Sequence, residues 1–531
     1  MELGVDFGTT RIVVAAADRG NYPLAGFETP DGQIREWFPP LVAVCGQTRL
    51  FGWQAAAVQA NREWTVLRSL KRRLKSAGPA STIEIAGLRM PLTELLVELL
   101  VALRQSLRRS STLNPDRGEA LQVTIGVPAN ANSNQRFLTA EAFRSAGFQV
   151  LGMLNEPSAA SIEYGHRRQA ERKGQPRHSL LVYDLGGGTF DASLVDLVED
   201  THTVVAAAGL SDVGGDDFDE ILAGLALAGS GLATEPQPLT EAERFRLLEE
   251  CRERKESLNP NTRKVTIDLD RVREGWGEVT VPVSAFYEGC RPLIERTARV
   301  VEQLLASRAD GPIETLYVTG GGSELPAVAR VLKESFGRSV RRSSYMRSAT
   351  AIGLAIGADA RSGYRLRDRF TRHFGVWREA EEGRKVVFDV LFPRGLGLPA
   401  SGAPAHRVLR QYAPAHNVGC FRYVEASHLD ADGEPVGDLT FWDEIQFPFD
   451  PGLRDVPDLS LLAVEPSGAA AGCQVEEEYW CDAAGMLKVR IANRSAGYSR
   501  EFALGRWSES PQPPAGLAAA RRHRLERQRS K

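Results

Sequence analysis

The chain has 531 residues, 43% of them apolar and 25% charged, with a formal net charge of −3. That length and composition predict about three or four units of globular protein, and the near-neutral balance excludes a whole-chain field suited to nucleic acid. Six scattered cysteines without a CxxC pair exclude a disulfide framework or zinc site and fit a reducing cytosol. With no signal-peptide pattern and no run near ~18 apolar residues, a cytoplasmic protein without a membrane span is expected. Residues 1–18 read as strand, tight turn and strand, and 41–46 as a further short strand. The stretch 91–110 places apolar residues at 92, 95, 96, 99, 100, 103 and 107, the spacing of one helical face packed on a core. A strand over 121–129 precedes a helix opening near Asn134, and 150–165 reads as a strand end, a loop and a helix with Pro157 in its first turn. Strand, turn and strand follow over 179–197, then a helix from 214 whose leading acids suit the positive end of its dipole. Helices are predicted over 241–258 and within 284–306, a strand, glycine turn and helix over 314–337, and a small-residue helix over 348–360. A basic stretch at 364–375 reads as a connector. Short strands with turn signals over 373–506 suggest a β-sandwich-like domain, and the tail from 507 is Pro-rich, then basic, and predicted to be disordered.

Two strings repeat one plan. GVDFGTTRIVVA (4–15) and YDLGGGTFDASL (183–194) each carry a hydrophobic strand, an aspartate at its end, a glycine turn, a threonine and a second strand. The repeat predicts two similar halves, each giving one turn to a shared cleft. Glycines let backbone N–H groups approach an anion, and consecutive N–H groups form a nest suited to phosphate. Asp6 and Asp184 would then face phosphates, which makes sense with a cation between them; Mg²⁺, which keeps its waters, fits. A third turn, Gly320–Gly322, follows a strand and opens a helix, a further place for a phosphate or nucleoside. No GxxxxGK[ST] string occurs, so a P-loop fold is excluded.

Taken in chain order, GVDFGTT (4–10), SLKRRL (69–74), VTIGVPANANSNQR (123–136), LNEPSAASIEYG (154–165), VYDLGGGTFDASL (182–194), VGGDDFD (213–219), ECRERKESL (250–258) and VTGGGSELPAV (318–328) resemble the ATPase domain of the DnaK-type seventy-kilodalton heat-shock chaperones, within the actin–hexokinase superfamily. The resemblance implies an α/β fold: a two-lobed, actin-like, duplicated ribonuclease H-like ATPase domain over 1–362, with lobes of about 1–180 and 181–362. A basic linker (363–372), a β-sandwich substrate-binding-like domain (373–506) and the tail (507–531) follow. It implies ATP or ADP with Mg²⁺ as ligands, Asp6 and Asp184 holding the metal's waters, and phosphate binding by Gly8, Thr9, Thr10, Gly186, Gly187, Gly188 and Thr189. Lys71 would reach the γ-phosphate or the attacking water, Glu156 and Asp191 would orient water and metal, and Thr189 would complete the catalytic set. Gly214, Gly215, Lys255, Gly320, Gly321 and Gly322 would complete the nucleotide pocket, and Pro128 with Arg136 would relay nucleotide state to the second domain. Read without the resemblance, Lys71 belongs to a solvated basic helix face, Glu156 is a helix-start acid and Arg136 a surface residue.

The chain departs from the family in its adenosine pocket. Arg252 stands for a glutamate, Glu256 and Glu324 for arginines, Gly322 for a serine and Arg347 for an acid, while Lys255 matches. ATP binding weaker or slower than typical is expected, since losing an arginine stacked on a base costs ~0.5–2 kcal/mol. The stretches 372–399 and 475–493 look like the first and last parts of the family's peptide-binding β-sandwich; RLRDRF (365–370) replaces its acid-flanked hydrophobic linker, and a sandwich without the family's helical lid is expected. The expectation is a monomeric, ATP-hydrolysing chaperone whose nucleotide cycle controls the binding of extended or unfolded polypeptide by the β-domain, served by a co-chaperone or exchange factor, with no nucleic-acid or membrane partner. Two alternatives are a nucleotide-sensing scaffold with weak ATPase and one specific protein partner, and a small-molecule kinase of the same superfamily.

Overall fold

The computed structural model describes residues 1–504 apart from 79–80, 169–177, 232–237, 307–312, 381–384, 400–402, 443 and 484. The tail over 507–531 therefore lies outside the described residues. By internal contacts the chain divides into two compact units. The first holds Met1–Lys75, Thr82–Ala131 and Leu138–Thr371; the second holds Ser76–Ser81, Asn132–Phe137 and the described residues from Arg372 onward.

The first unit is built on two sheets of one plan. β1 (Glu2–Phe7) pairs antiparallel with β2 (Ile12–Ala16) and parallel with β3 (Gln122–Val127), and β3 pairs parallel with β4 (Gln149–Asn155). In the second sheet β5 (His178–Leu185) pairs antiparallel with β6 (Phe190–Val198), and β6 with β7 (Thr201–Leu210). β5 also pairs parallel with β8 (Thr315–Thr319), which pairs parallel with β9 (Val340–Arg342). Hairpin and parallel neighbours thus recur in the same order. The basic stretch read as a connector contributes a short strand, β10 (Arg365–Arg367), parallel to β7 at the sheet's edge. β5 reads HSLLVYDL and is buried on both faces from Ser179 to Leu185, as a central strand of a sheet covered on both sides requires.

Helices cover these sheets. α1 (Leu70–Arg73) is one short turn, and α2 (Leu92–Arg109) buries the seven leucines that its periodicity singled out. The strand β4 runs into α3 (Glu156–Arg167) without the predicted loop, because Asn155 is extended (φ −67°, ψ 136°) and itself serves as the N-cap. α4 (Gly215–Gly229) and α5 (Glu241–Glu256) pack on the second sheet's core, where Phe218, Leu222, Leu247 and Cys251 join Leu181, Tyr183 and Phe190. α6 (Ala349–Ala358) is small-residue because it lies against backbone. A Cβ on Gly353 would overlap the Ala159 carbonyl of α3, and one on Gly4 of β1 would overlap the α6 backbone.

The second unit is two antiparallel sheets. One runs β12 (Lys385–Phe392) beside β11 (His373–Ala380), then β14 (Val418–Leu429) and β15 (Pro435–Phe441), with β16 (Ile445–Pro448) also on β14. The other runs β13 (His406–Tyr412), β17 (Val475–Cys481), β18 (Leu487–Asn493) and β19 (Tyr498–Leu504). Their buried faces carry Phe374, Val376, Tyr423, Tyr479, Val489 and Ile491. One layer of this interior is ionic. Arg378 of β11 donates to both oxygens of the fully buried Glu477 of β17 at 2.9 and 2.6 Å, and its Nε donates to Asp389 of β12 at 2.7 Å. Arg410 of β13 donates to Asp389 at 2.8 Å, and the Tyr412 hydroxyl donates to Glu477 at 2.5 Å. The side-chain alternation that makes these strands also aims Arg378 and Glu477 inward, two residues from Val376 and Tyr479.

Candidate functional site

The two repeated hairpins bring their turns into contact. A Cβ on Gly187 would lie 2.6 Å from the Thr10 side chain, and one on Gly188 would lie 2.6 Å from Thr9 Oγ1. Residues of both turns, Gly8 to Thr10 with Gly186, Gly187 and Thr189, line one cleft of the first unit. The third turn abuts the second: a Cβ on Gly322 would approach the Gly186 carbonyl to 2.7 Å, and one on Gly320 would overlap Leu185 O and the Asp184 carboxylate. Gly320 also has φ +87°, a backbone region that disfavours side chains. Gly214 and Gly215 hold the second turn in place. Gly215 N–H donates to Gly186 O at 3.0 Å and Asp216 N–H to Gly187 O at 2.7 Å. Lys255 Nζ closes this corner on Gly215 O (2.6 Å) and Asp219 (2.7 Å).

Behind the turns lies a buried acidic cluster around one ammonium. Asp6 ends β1 and Asp184 ends β5; Asp191 stands directly opposite Asp184 in the hairpin register, so the two share a face. Glu156 comes from the first turn of α3 and Lys71 from α1, and Lys71 Nζ meets Glu156 Oε1 at 2.5 Å with both residues buried. Lys71 is thus not on a solvated basic face. Burial, then the Glu156 charge, pushes Asp6 up to about 7, against the pull of Lys71. Burial and the same charge raise Asp191 to about 7 despite the Thr189 hydroxyl, Lys71 and the Ala129 N–H, which reaches it at 2.8 Å. Asp184 is raised well above the carboxylate range by burial and then by Glu156, Asp6 and Asp191. Burial alone would lower Lys71, but Glu156, Asp6 and Asp191 outweigh it and its pKa rises. Four carboxylates facing one ammonium are short of positive charge, which is the donor chemistry a hydrated divalent cation satisfies. Among the described residues no group of three or more His, Cys, Asp or Glu forms a direct cation cage.

The far end of the cleft carries charged residues that sequence reading noted only as departures. Glu256 is the hub: Arg11 reaches it at 2.5 Å, Arg347 at 3.1 Å and Arg252 at 3.3 Å. Burial would raise the Glu256 carboxyl, but Arg11, Arg252 and Arg347 hold it down at about 2. Arg11 lies over the Trp37 ring at 4.9 Å, and burial lowers its pKa to about 10. Arg347 also bonds Glu324 through Nε at 2.7 Å. Further ties run from the segment around Lys71 to α4 and α5: Ser69 to Asp216 (3.0 Å), Arg72 to Asp217 (3.2 Å) and Arg68 to Glu249. Arg11 and Asp219 lie inside quoted strings that gave them no role, and Glu249 lies outside them; only their partners in the fold give them a place.

Pro128 and Arg136 are not among the residues lining the cleft. Pro128 is buried in the first unit, its carbonyl accepting from Ala131 N–H at 3.0 Å. Arg136 is buried in the second, where burial raises the Glu425 carboxyl against the pull first of Arg372 and last of Arg136. Glu425 in turn accepts from Ser133 N–H at 3.1 Å.

The duplicated hairpin-and-parallel-strand sheets, with glycine turns meeting over aspartates at their strand ends, define the first unit as an actin-like nucleotide-binding fold. A family model described as Hsp70 protein matches residues 114–371. The chain is 30% identical to a chaperone protein HscA homolog of Bordetella petrii, over 94% of this chain and 77% of that one. It is 30% identical to the HscA homolog of Methylibium petroleiphilum (93% and 76%) and 28% identical to that of Variovorax paradoxus (94% and 78%). The chain belongs to the Hsp70 family.

Proposed function

We propose that this protein is an ATP-dependent chaperone of the Hsp70 type, hydrolysing ATP in the first unit and binding extended polypeptide through the β-sandwich of the second. The observation that carries the reading is the contact of two glycine turns over Asp6, Asp184, Asp191 and Glu156 with Lys71 among them. Phosphoryl transfer to water needs positioning and charge neutralisation rather than covalent chemistry, and this cluster offers both. Asp6 and Asp184 would hold Mg²⁺ through its waters, and the ion would neutralise phosphate charge. The turn amides of Gly8 to Thr10 and Gly186 to Thr189 would bind the phosphates. Lys71, held by Glu156, would face the terminal phosphate, while Asp191, fixed by the Ala129 N–H, would accept a hydrogen bond from the attacking water. Pro128 and Arg136 would carry the nucleotide state onward, and a co-chaperone or exchange factor would serve the cycle. The HscA relatives support the chaperone reading by name.

A second reading, a nucleotide-sensing scaffold with weak turnover and a specific partner, is favoured by the charged far end of the cleft and by the ionic layer of the sandwich. The test is Mg²⁺-dependent ATP turnover of the full chain with and without a panel of unfolded peptides. Turnover stimulated by many apolar peptides is the chaperone outcome. Negligible turnover with one tight partner selects the scaffold, and no ATP binding removes both.

A further inference from the structure

The phosphate turns occupy one end of the cleft, so a nucleotide bound there must send its nucleoside to the other. That end is walled by Arg252 and Glu256 of α5 on one side and by the Gly320–Gly322 turn on the other, with Glu324 following that turn. Arg347 bridges the walls. Its guanidinium bonds Glu256 at 3.1 Å and Glu324 at 2.7 Å, and its stem lies 3.8 Å from where a Cβ on Gly321 would stand. We propose that Arg347 is a built-in gate: it occupies the nucleoside end of the cleft, must leave both glutamates before ATP seats, and thereby sets nucleotide affinity. This inference rests on the nucleotide reading above.

The surrounding contacts single out Arg347 as the member that moves. Arg11 is stacked on Trp37 with its side chain 17% exposed, and Arg252 is tied to Glu249 at 2.7 Å. Both stay on Glu256, whose side chain is 29% exposed, when Arg347 departs, so that hub is not left unpaired. Arg347 is 31% exposed, and Glu324, 35% exposed, rehydrates on its own. When only a fraction of molecules has the gate open, the apparent dissociation constant rises by the inverse of that fraction. Partly exposed ion pairs hold such an equilibrium shut by about tenfold rather than a thousandfold.

Calorimetric titration of the full chain with Mg–ATP and with Mg–tripolyphosphate tests the gate, because tripolyphosphate has no nucleoside. Arg347→Ala is expected to tighten ATP about tenfold relative to tripolyphosphate. Glu324→Gln, which loosens one anchor, is expected to give a smaller gain of the same sign. A simple charge effect would weaken both ligands alike in the first variant and tighten both alike in the second. Equal changes for the two ligands, or weaker ATP binding in Arg347→Ala, would overturn the gate while leaving the phosphate site standing. If wild type and variants bind neither ligand, the nucleotide reading itself falls and takes the gate with it.

Discussion

Lys71 concentrates the argument at the level of single residues. Among the described residues it is the one ammonium against Asp6, Asp184, Asp191 and Glu156 in this cluster, so its removal takes away the cluster's own counter-charge and, on the proposed reading, a phosphate contact. Lys71→Ala and Glu156→Ala are each expected to lower single-turnover ATP hydrolysis by about 10²–10³-fold. Unaltered turnover in both would remove their catalytic assignment. Glu256 makes a prediction about acid. Its carboxyl titrates at about 2 in the folded protein against the ordinary 4.5. Between those values the unfolded chain binds more protons than the folded one, so the stability Glu256 contributes is full above pH 4.5 and lost as the pH falls toward 2. Glu256→Gln should therefore melt below wild type at pH 6 and the gap should close on acidification. A gap that widens toward pH 3 contradicts the assignment.

Single elements are legible or not according to how local their cause is. α2 shows all its buried leucines in its spacing, and the glycine turns declare themselves because strand, aspartate and glycines are contiguous. Gly320 shows what such a turn protects. Gly320→Ala would force a methyl group into Leu185 O and the Asp184 carboxylate at φ +87°, destabilising the protein by about 1–3 kcal/mol. Mg²⁺-dependent ATP binding should weaken with it; a variant with wild-type melting and wild-type binding would mean that the turn has other room. The three consecutive glutamates of β17 are the opposite case. Their alternation sends Glu477 inward to Arg378 and Glu476 and Glu478 outward to Arg494 and Arg490. The sequence shows the charges but not that Arg378, ninety-nine positions away, will meet the middle one. Glu477→Gln should cost about 1–3 kcal/mol, because Arg378 keeps Asp389 but loses the charged partner of its two-oxygen pair, while Arg378→Met with Glu477→Leu should recover part of that loss in urea unfolding. Equal losses in single and double variants would deny the pair its place in the interior.

For the molecule as a whole, the two units give two separable expectations. Mg–ATP at one hundred times its dissociation constant should stabilise the unfolding transition of the first unit by about 2.7 kcal/mol. A calorimetric scan in which no transition moves would argue against a nucleotide site in the native state. The second unit's transition should respond instead to Glu477→Gln, which touches nothing in the cleft.

The local pattern of this chain determined its α/β class, its main helices and the glycine turns, since each depends on residues within a few positions of one another. Lys71 and Glu156 were legible through resemblance, because eighty-five positions separate two side chains that meet at 2.5 Å. Tertiary structure alone decided that Arg11 and Arg347, from two distant segments, join the helix neighbour Arg252 on Glu256, that residues 365–367 close a sheet edge, and that the sandwich encloses an ionic layer. A side chain's type is written in the sequence, but its partner, burial and charge state belong to whatever the fold sets against it.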